Sequence, residues 1–371
     1  MRKGKMKITI KDSGLISKPN DGKFNFNAWP SIINVRKGLM LAAWSGERNA
    51  HICPFGKVMV ARSYDGGHSW EPPYIAMDTP LDDRDAGLCA YKGKIYLTSF
   101  NNSRKTQRRY MKEEKRDEKT RAFYEGYLDI IDDEEEKRYL GSLISVSTDE
   151  GKTFSPPETL PITSPHGPCV TKDGKLFFAG RAFSDDEKAS FDYLDEGIYA
   201  LTLDEDAKPL NKPVKIAPAY SGDENNAFFC EPHALTLPDG RIIMGLRAQN
   251  PETGLFTIYD CFSLDGGKTF SAPRYTGFDG SPPHYLMHSS GAIVISYARR
   301  KPPFSQCARL SFDAGNSWSE EIILRQDAPH GDIGYPATAE NDEGELVTVY
   351  YQKSEKTKAN QIFFTVWSFE K

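Results

Sequence analysis

The chain has 371 residues, of which 39% are hydrophobic and 12% aromatic, enough apolar side chain for a large core. Its 47 basic and 52 acidic residues are interspersed, and the net charge of −5 gives no field that would hold a polyanion, so nucleic acid is not an expected partner. No apolar run reaches signal-peptide or membrane-spanning length; the expected location is cytoplasmic unless a leader precedes this sequence, and no membrane partner is expected.

The first strand of the chain is expected at residues 6–10, "MKITI". A hairpin follows, "WPSIINVRKGLMLAAW", with Gly38 at its turn. The same design returns as "DAGLCAYKGKIYLTSF", "HGPCVTKDGKLFFAG", "EPHALTLPDGRIIMGLR", "PPHYLMHSSGAIVISYA" and "GYPATAENDEGELVTVYY", with turn glycines at Gly93, Gly174, Gly240, Gly291 and Gly344. A spacing of about 50 to 60 residues marks a repeat architecture. One wide gap, between Gly93 and Gly174, holds "RKTQRRYMKEEKRDEKTRAFYEGYLDIIDDEEEKRY", whose mixed charge predicts an exposed helical insertion around residues 103–138. Several hairpins run on into a third strand, a box of the form Ser-x-Asp-x-Gly-x-x-aromatic, and a fourth strand.

The boxes are "SYDGGHSW", "STDEGKTF", "SLDGGKTF" and "SFDAGNSW". Asp and Gly suit a tight turn with an aromatic packed beneath it, so Asp65, Asp149, Asp265 and Asp313 are read as structural. The expected fold is all-β: one domain over residues 1–371, a six-bladed β-propeller of four-stranded antiparallel blades, with strand 6–10 closing the last blade. Cys53, Cys89, Cys169, Cys230, Cys261 and Cys307 stand singly with no CxxC spacing, so neither a metal nor another cofactor is expected.

In each hairpin the start of the first strand and the end of the second meet at the face opposite the turns. The positions gathered there are Trp29, Arg48, Arg84, Asp85, His166, Arg181, Glu231, His233, Arg247, His284, Arg299, Arg300, Asp332, Tyr335, Tyr350 and Tyr351. Several arginines converging with a Glu, an Asp and a Tyr suit an anion, most simply a carboxylate. A phenol beside a carboxylate base, Tyr335 with Glu231, is the arrangement a Tyr nucleophile needs.

On the boxes, the "EPHALTLPDGR" blade, "SPPHYLMHSSG" and "DIGYPATAENDEGELVTVYY", nearly the whole chain resembles the sialidase superfamily of BNR-repeat proteins. The resemblance implies an exo-glycosidase that removes a terminal, acidic sugar from a glycan through a Tyr nucleophile, with a carbohydrate as its partner. Glu231, Arg247 and Tyr335 match the family's Glu, Arg and Tyr, and Arg300, in preference to Arg309, matches a further substrate arginine. Two departures stand out. Ala28 occupies the place of the family's first arginine, and the loop "SGERNAHICPFGK" carries no Asp. Asp85 or His51 is therefore the expected acid/base, and Arg48 or Arg181 the expected replacement cation, with Arg48 turned to the axis; Arg84, His166 and His233 are further candidate substrate contacts. Alternatives are a polysaccharide lyase or a hydrolase of another sugar, and a non-catalytic glycan-binding propeller.

Overall fold

The computed structural model describes residues 6–18, 22–113, 116–182, 194–357 and 359–370. Six antiparallel sheets make up the described chain, five of them with four strands, in sequential order in four of these. Blade three differs in its first strand, which is split into Ile162–Thr163 and Cys169–Val170, both paired with Leu176–Ala182. The sheets form a six-bladed β-propeller, as the repeat implied. The strand expected at 6–10 runs over Lys7–Leu15 and pairs with Gln361–Glu370, from Lys7 opposite Glu370 to Leu15 opposite Phe363, so the last blade is built from both ends of the described chain.

Each box folds alike. Asp65, Asp149, Asp265 and Asp313 each accept a hydroxyl bond from the serine two residues before, and a backbone and a hydroxyl bond from Ser69, Thr153, Thr269 and Ser317 respectively. Those bonds stabilise the carboxylates in the turn and hold each below the usual range, against the opposing effect of burial. The boxes are turn staples.

The insertion forms α1 (Arg104–Glu113), α2 (Glu118–Ile130) and α3 (Asp133–Tyr139). Asp117 caps α2 and Asp132 caps α3, each accepting the backbone N–H three residues on. It is not wholly a solvated excursion: Met111, Tyr124, Leu128 and Ile131 are buried with Cys53 and Leu81. Tyr124 Oη lies 3.6 Å from Cys53 Sγ, and the Arg116 guanidinium bonds the Ile52 carbonyl. The helices thus brace the loop that follows the second strand of blade one.

Candidate active site

The first strands of five blades carry the same irregularity, and it builds the site. In blade four Cys230 pairs with Arg247 and His233 with Gly245, so Glu231 and Pro232 face Leu246 alone. Blade six repeats this, Gly334 pairing with Tyr351 and Ala337 with Val349, which leaves Tyr335 and Pro336 opposite Tyr350. Corresponding register shifts put Trp29 and Pro30 opposite Trp44, Asp85 and Ala86 opposite Ser99, and Pro282 and Pro283 opposite Tyr297. These are β-bulges. Their first residues Trp29, Asp85, Glu231 and Tyr335 all have left-handed φ, at 56°, 47°, 47° and 50°. Such a backbone costs on the order of 1 to 3 kcal/mol per non-glycine residue and is sustained by the surrounding sheet.

Glu231 and Tyr335 meet. Tyr335 Oη donates to Glu231 Oε1 at 2.7 Å, although the two lie in different blades. Arg247 Nη1 donates to both Glu231 oxygens at 2.8 Å and to Tyr335 Oη at 3.1 Å. Burial raises the Tyr335 phenol well above its ordinary range, Glu231 reinforces that, and Arg247 opposes it. The phenol is therefore neutral until a base takes its proton. Arg300 donates from Nε to the Ile333 carbonyl at 2.8 Å and from Nη2 to Tyr351 Oη at 3.3 Å, and its guanidinium lies 5.7 Å from the centre of the Tyr335 ring. Tyr351 in turn donates to Asp332 Oδ1 at 2.9 Å.

Asp85 is buried with Oδ1 unpartnered among the described residues. Burial raises its carboxyl to about 7, with Arg84 pulling it down and Glu231 pushing it up. Arg84 lies 4.1 Å over the Trp29 ring and donates to the His51 carbonyl at 2.6 Å, while its buried Nε has no partner among the described residues. Arg181 pairs across the strands with Thr163, the place that Arg247 holds opposite Cys230 in blade four. Burial raises the Cys230 thiol, and Arg247, Arg181 and Arg300 all oppose that.

Three expectations are corrected. Arg48 is not open to substrate: its side chain is fully buried, with its guanidinium 4.9 Å over the Trp29 ring. One extra residue in the second strand of blade one shifts the register between Ala28–Ser45 and Phe26–Arg48, and Glu47, at φ 52°, marks the kink. The shift brings Arg48, opposite Phe26, onto the face of Ser45. There it lies 2.6 Å from Asp82 Oδ1 and donates to Ser45 Oγ at 2.8 Å and the His51 carbonyl at 2.9 Å. Ser45 stands where blade four has Arg247.

His51 is not suited to acid/base work. Burial, then Arg84, Arg48, Arg300 and Arg247, lower its imidazole to about 2, so it stays neutral among the cations. Its ring stands edge-on to Trp29 at 4.9 Å.

His166 lies too deep for substrate contact, while His233 beside it is partly exposed. With His284 they form a stack, ring centres 4.2 to 5.5 Å apart, with His233 and His284 each two residues beyond the first bulge residue of its strand. His166 is 1% exposed, and burial keeps all three imidazoles neutral. Close backbone contact admits the stack: a Cβ on Gly87 would lie 2.4 Å from the Gly167 nitrogen.

A family model, the BNR repeat-like domain, matches residues 110–348. The chain belongs to that family. This BNR-repeat protein matches no curated protein sequence. Among solved structures it is similar to a protein of unknown function from Dyadobacter fermentans, with 20% identity over 98% of this chain and 99% of that one and a TM-score of 0.75. It is also similar to a Hadza microbial sialidase, at 14% identity over 95% of this chain and 68% of that one with a TM-score of 0.64. The intramolecular trans-sialidase of Ruminococcus gnavus shares 13% identity over 96% of both chains with a TM-score of 0.59. These likenesses establish that the BNR-repeat chain has the sialidase fold.

Two residues of the site escaped the sequence reading. Gln249 Oε1 accepts from Arg247 Nη2 at 2.6 Å and Nε at 3.2 Å, and Phe256, paired with Gln249 across the next strand, lies 5.0 Å under Arg247 and 5.1 Å under Arg300. Strand alternation puts Gln249 on the face of Arg247, a signal present in "LRAQN". Among the described residues no group of three His, Cys, Asp or Glu side chains could hold a metal, and no helix is long and apolar enough to cross a membrane.

Proposed function

We propose that this protein is a sialidase-like exo-glycosidase that removes a terminal acidic sugar from a glycan. One observation carries the reading: Tyr335 Oη shares its proton with Glu231 at 2.7 Å inside a cluster of arginines. In the first half-reaction Glu231 takes the phenolic proton and Tyr335 Oη bonds to the anomeric carbon. The bond from that carbon to the leaving oxygen breaks as Asp85 gives that oxygen its proton. In the second half-reaction Asp85 accepts a proton from water, whose oxygen attacks the anomeric carbon. The bond to Tyr335 breaks, and the phenolate recovers its proton from Glu231. A neutral phenol suits this task, because a carboxylate nucleophile would be repelled by the acid group of the sugar. Arg247 and Arg300 hold that acid group, with Arg84 and Arg181 supplying the charge that Ala28 lacks.

The remaining readings gain less support. A non-catalytic glycan binder has no use for a buried phenol hydrogen-bonded to a partly exposed carboxylate, and a lyase that relies on His51 as base has an imidazole lowered to about 2. The test is Tyr335→Phe assayed on aryl glycosides of sialic and uronic acids. Turnover should fall by at least a thousandfold with the melting temperature nearly unchanged, and full activity in the variant refutes the nucleophile.

A further inference from the structure

Three histidines that the proposed chemistry does not use meet at the centre of the propeller. His166, His233 and His284 belong to blades three, four and five, and each follows a proline, Pro165, Pro232 and Pro283. His233 pairs opposite Gly245 and His284 opposite Ser296, each just past the bulge of its strand, while His166 lies between the two halves of the split first strand of blade three. Blades three and five are not neighbours in the ring, yet the His166 and His284 rings have centres 5.5 Å apart, which puts the group near the axis. The His233 and His284 rings stack 4.2 Å apart at 14°, and His166 stands across both at 64° and 66°.

The hydrogen bonds of the group fix its chemistry. The Tyr285 N–H donates to His233 Nδ1 at 2.8 Å and the Thr338 N–H to His284 Nδ1 at 3.3 Å, each reaching in from the next blade. With Nδ1 accepting and the imidazoles kept neutral by burial, the single ring proton sits on Nε2 in both. Neither Nε2 has a partner among the described residues, and both ring nitrogens of the buried His166 are unpartnered there too. The group therefore presents three N–H donors and one acceptor, the second nitrogen of His166. A metal is refused, because it needs the Nε2 lone pair that the proton covers; a histidine that ligates through Nε2 donates from Nδ1, the reverse of the bonds seen here. A water has two hydrogens to place and one nitrogen to take them. An ion that only accepts satisfies all three donors. The nearby charge agrees: Arg84, Arg181, Arg247 and Arg300 belong to the site built around Glu231, which lies two residues, roughly 7 Å, outward of His233.

We propose that His166, His233 and His284 form an axial site for a small monovalent anion such as chloride, held by N–H donors alone. The ion ties blades three, four and five together at the axis, and the inference stands apart from the glycosidase reading. Bromide is the probe, since its anomalous scattering marks its position. Crystals of the full chain soaked in sodium bromide should show an anomalous peak within hydrogen-bond reach of His233 Nε2 and His284 Nε2. In solution at neutral pH, with bromide replacing gluconate at constant ionic strength, the melting temperature should rise with the logarithm of the bromide concentration. Loss of one charge-assisted bond should weaken bromide binding about tenfold or more in His233→Gln and in His284→Gln, read as the higher bromide concentration needed for the same shift, whereas His68→Gln in the first box keeps the native response. A soaked crystal with no anomalous scatterer at the three histidines overturns the proposal whether or not the variants fold, and so does a native bromide response in both variants. A melting temperature raised by zinc gluconate in place of bromide, and lost in the same variants, also overturns it, because the ring protons would then sit on the opposite nitrogens.

Discussion

Removing the Arg48 guanidinium tests whether that residue is a substrate cation or a buried strut. Arg48 and Asp82 both have fully buried side chains 2.6 Å apart, and the guanidinium also holds the carbonyl of His51. In Arg48→Met the aliphatic stem is kept, and Asp82 is left with the Cys53 N–H at 3.3 Å and Arg84 at 3.5 Å. Breaking a buried pair from one side costs about 3 to 5 kcal/mol. For 371 residues, with an unfolding entropy of about 2.1 cal/mol/K per residue, that lowers the melting temperature by about 4 to 6 °C. Differential scanning calorimetry of Arg48→Met, Asp82→Asn and the double variant gives the coupling directly, and the double variant should lose less than the sum of the singles. An Arg48→Met protein that melts like the native one yet binds an acidic glycoside a hundredfold more weakly would refute this reasoning and restore Arg48 to the substrate.

Three further outcomes follow from charge. Asp85 has its folded value raised to about 7, so the acid form persists to neutral pH, and kcat/KM for glycosides with poor leaving groups should decline as pH rises through about 7; Asp85→Asn should remove that limb and spare activated aryl glycosides most. The same raised value makes Asp85 a cost to the fold that grows as pH rises from the unfolded value of about 3.9 and is complete above about 7, so Asp85→Asn should melt higher than the native protein at pH 8 and alike at pH 3, as calorimetry at the two pH values will read. His68, in the first box, lies 3.0 Å from Asp12 and 3.3 Å from Glu345, with Lys11 and Asn341 also on Glu345, and its value is raised first by the bond to Asp12. A raised imidazole stabilises fully below the unfolded value of about 6.5 and loses its effect as pH rises through the folded one. His68→Gln should accordingly lower the melting temperature at pH 5.5 and leave it nearly unchanged at pH 9.

Much of the fold was written in the sequence because the propeller is a repeat. Six turn glycines and four boxes recur at corresponding places, and each box closes its hydrogen bonds within a few residues, so nothing distant is needed to specify it. The gathering of Glu231, Arg247, Arg300 and Tyr335 was legible for the same reason, since equivalent hairpin positions must converge on one axis. Tertiary structure decided what a period of two cannot carry. A single extra residue at Glu47 set Arg48 beside Ser45 in a buried pair with Asp82, and bulges rather than regular pleats aim Trp29, Asp85, Glu231 and Tyr335 inward. Only packing between blades made His51 a neutral group among arginines and Asp85 a protonated acid near neutral pH, because desolvation and neighbouring charge are properties of the assembled site and of no local stretch of chain.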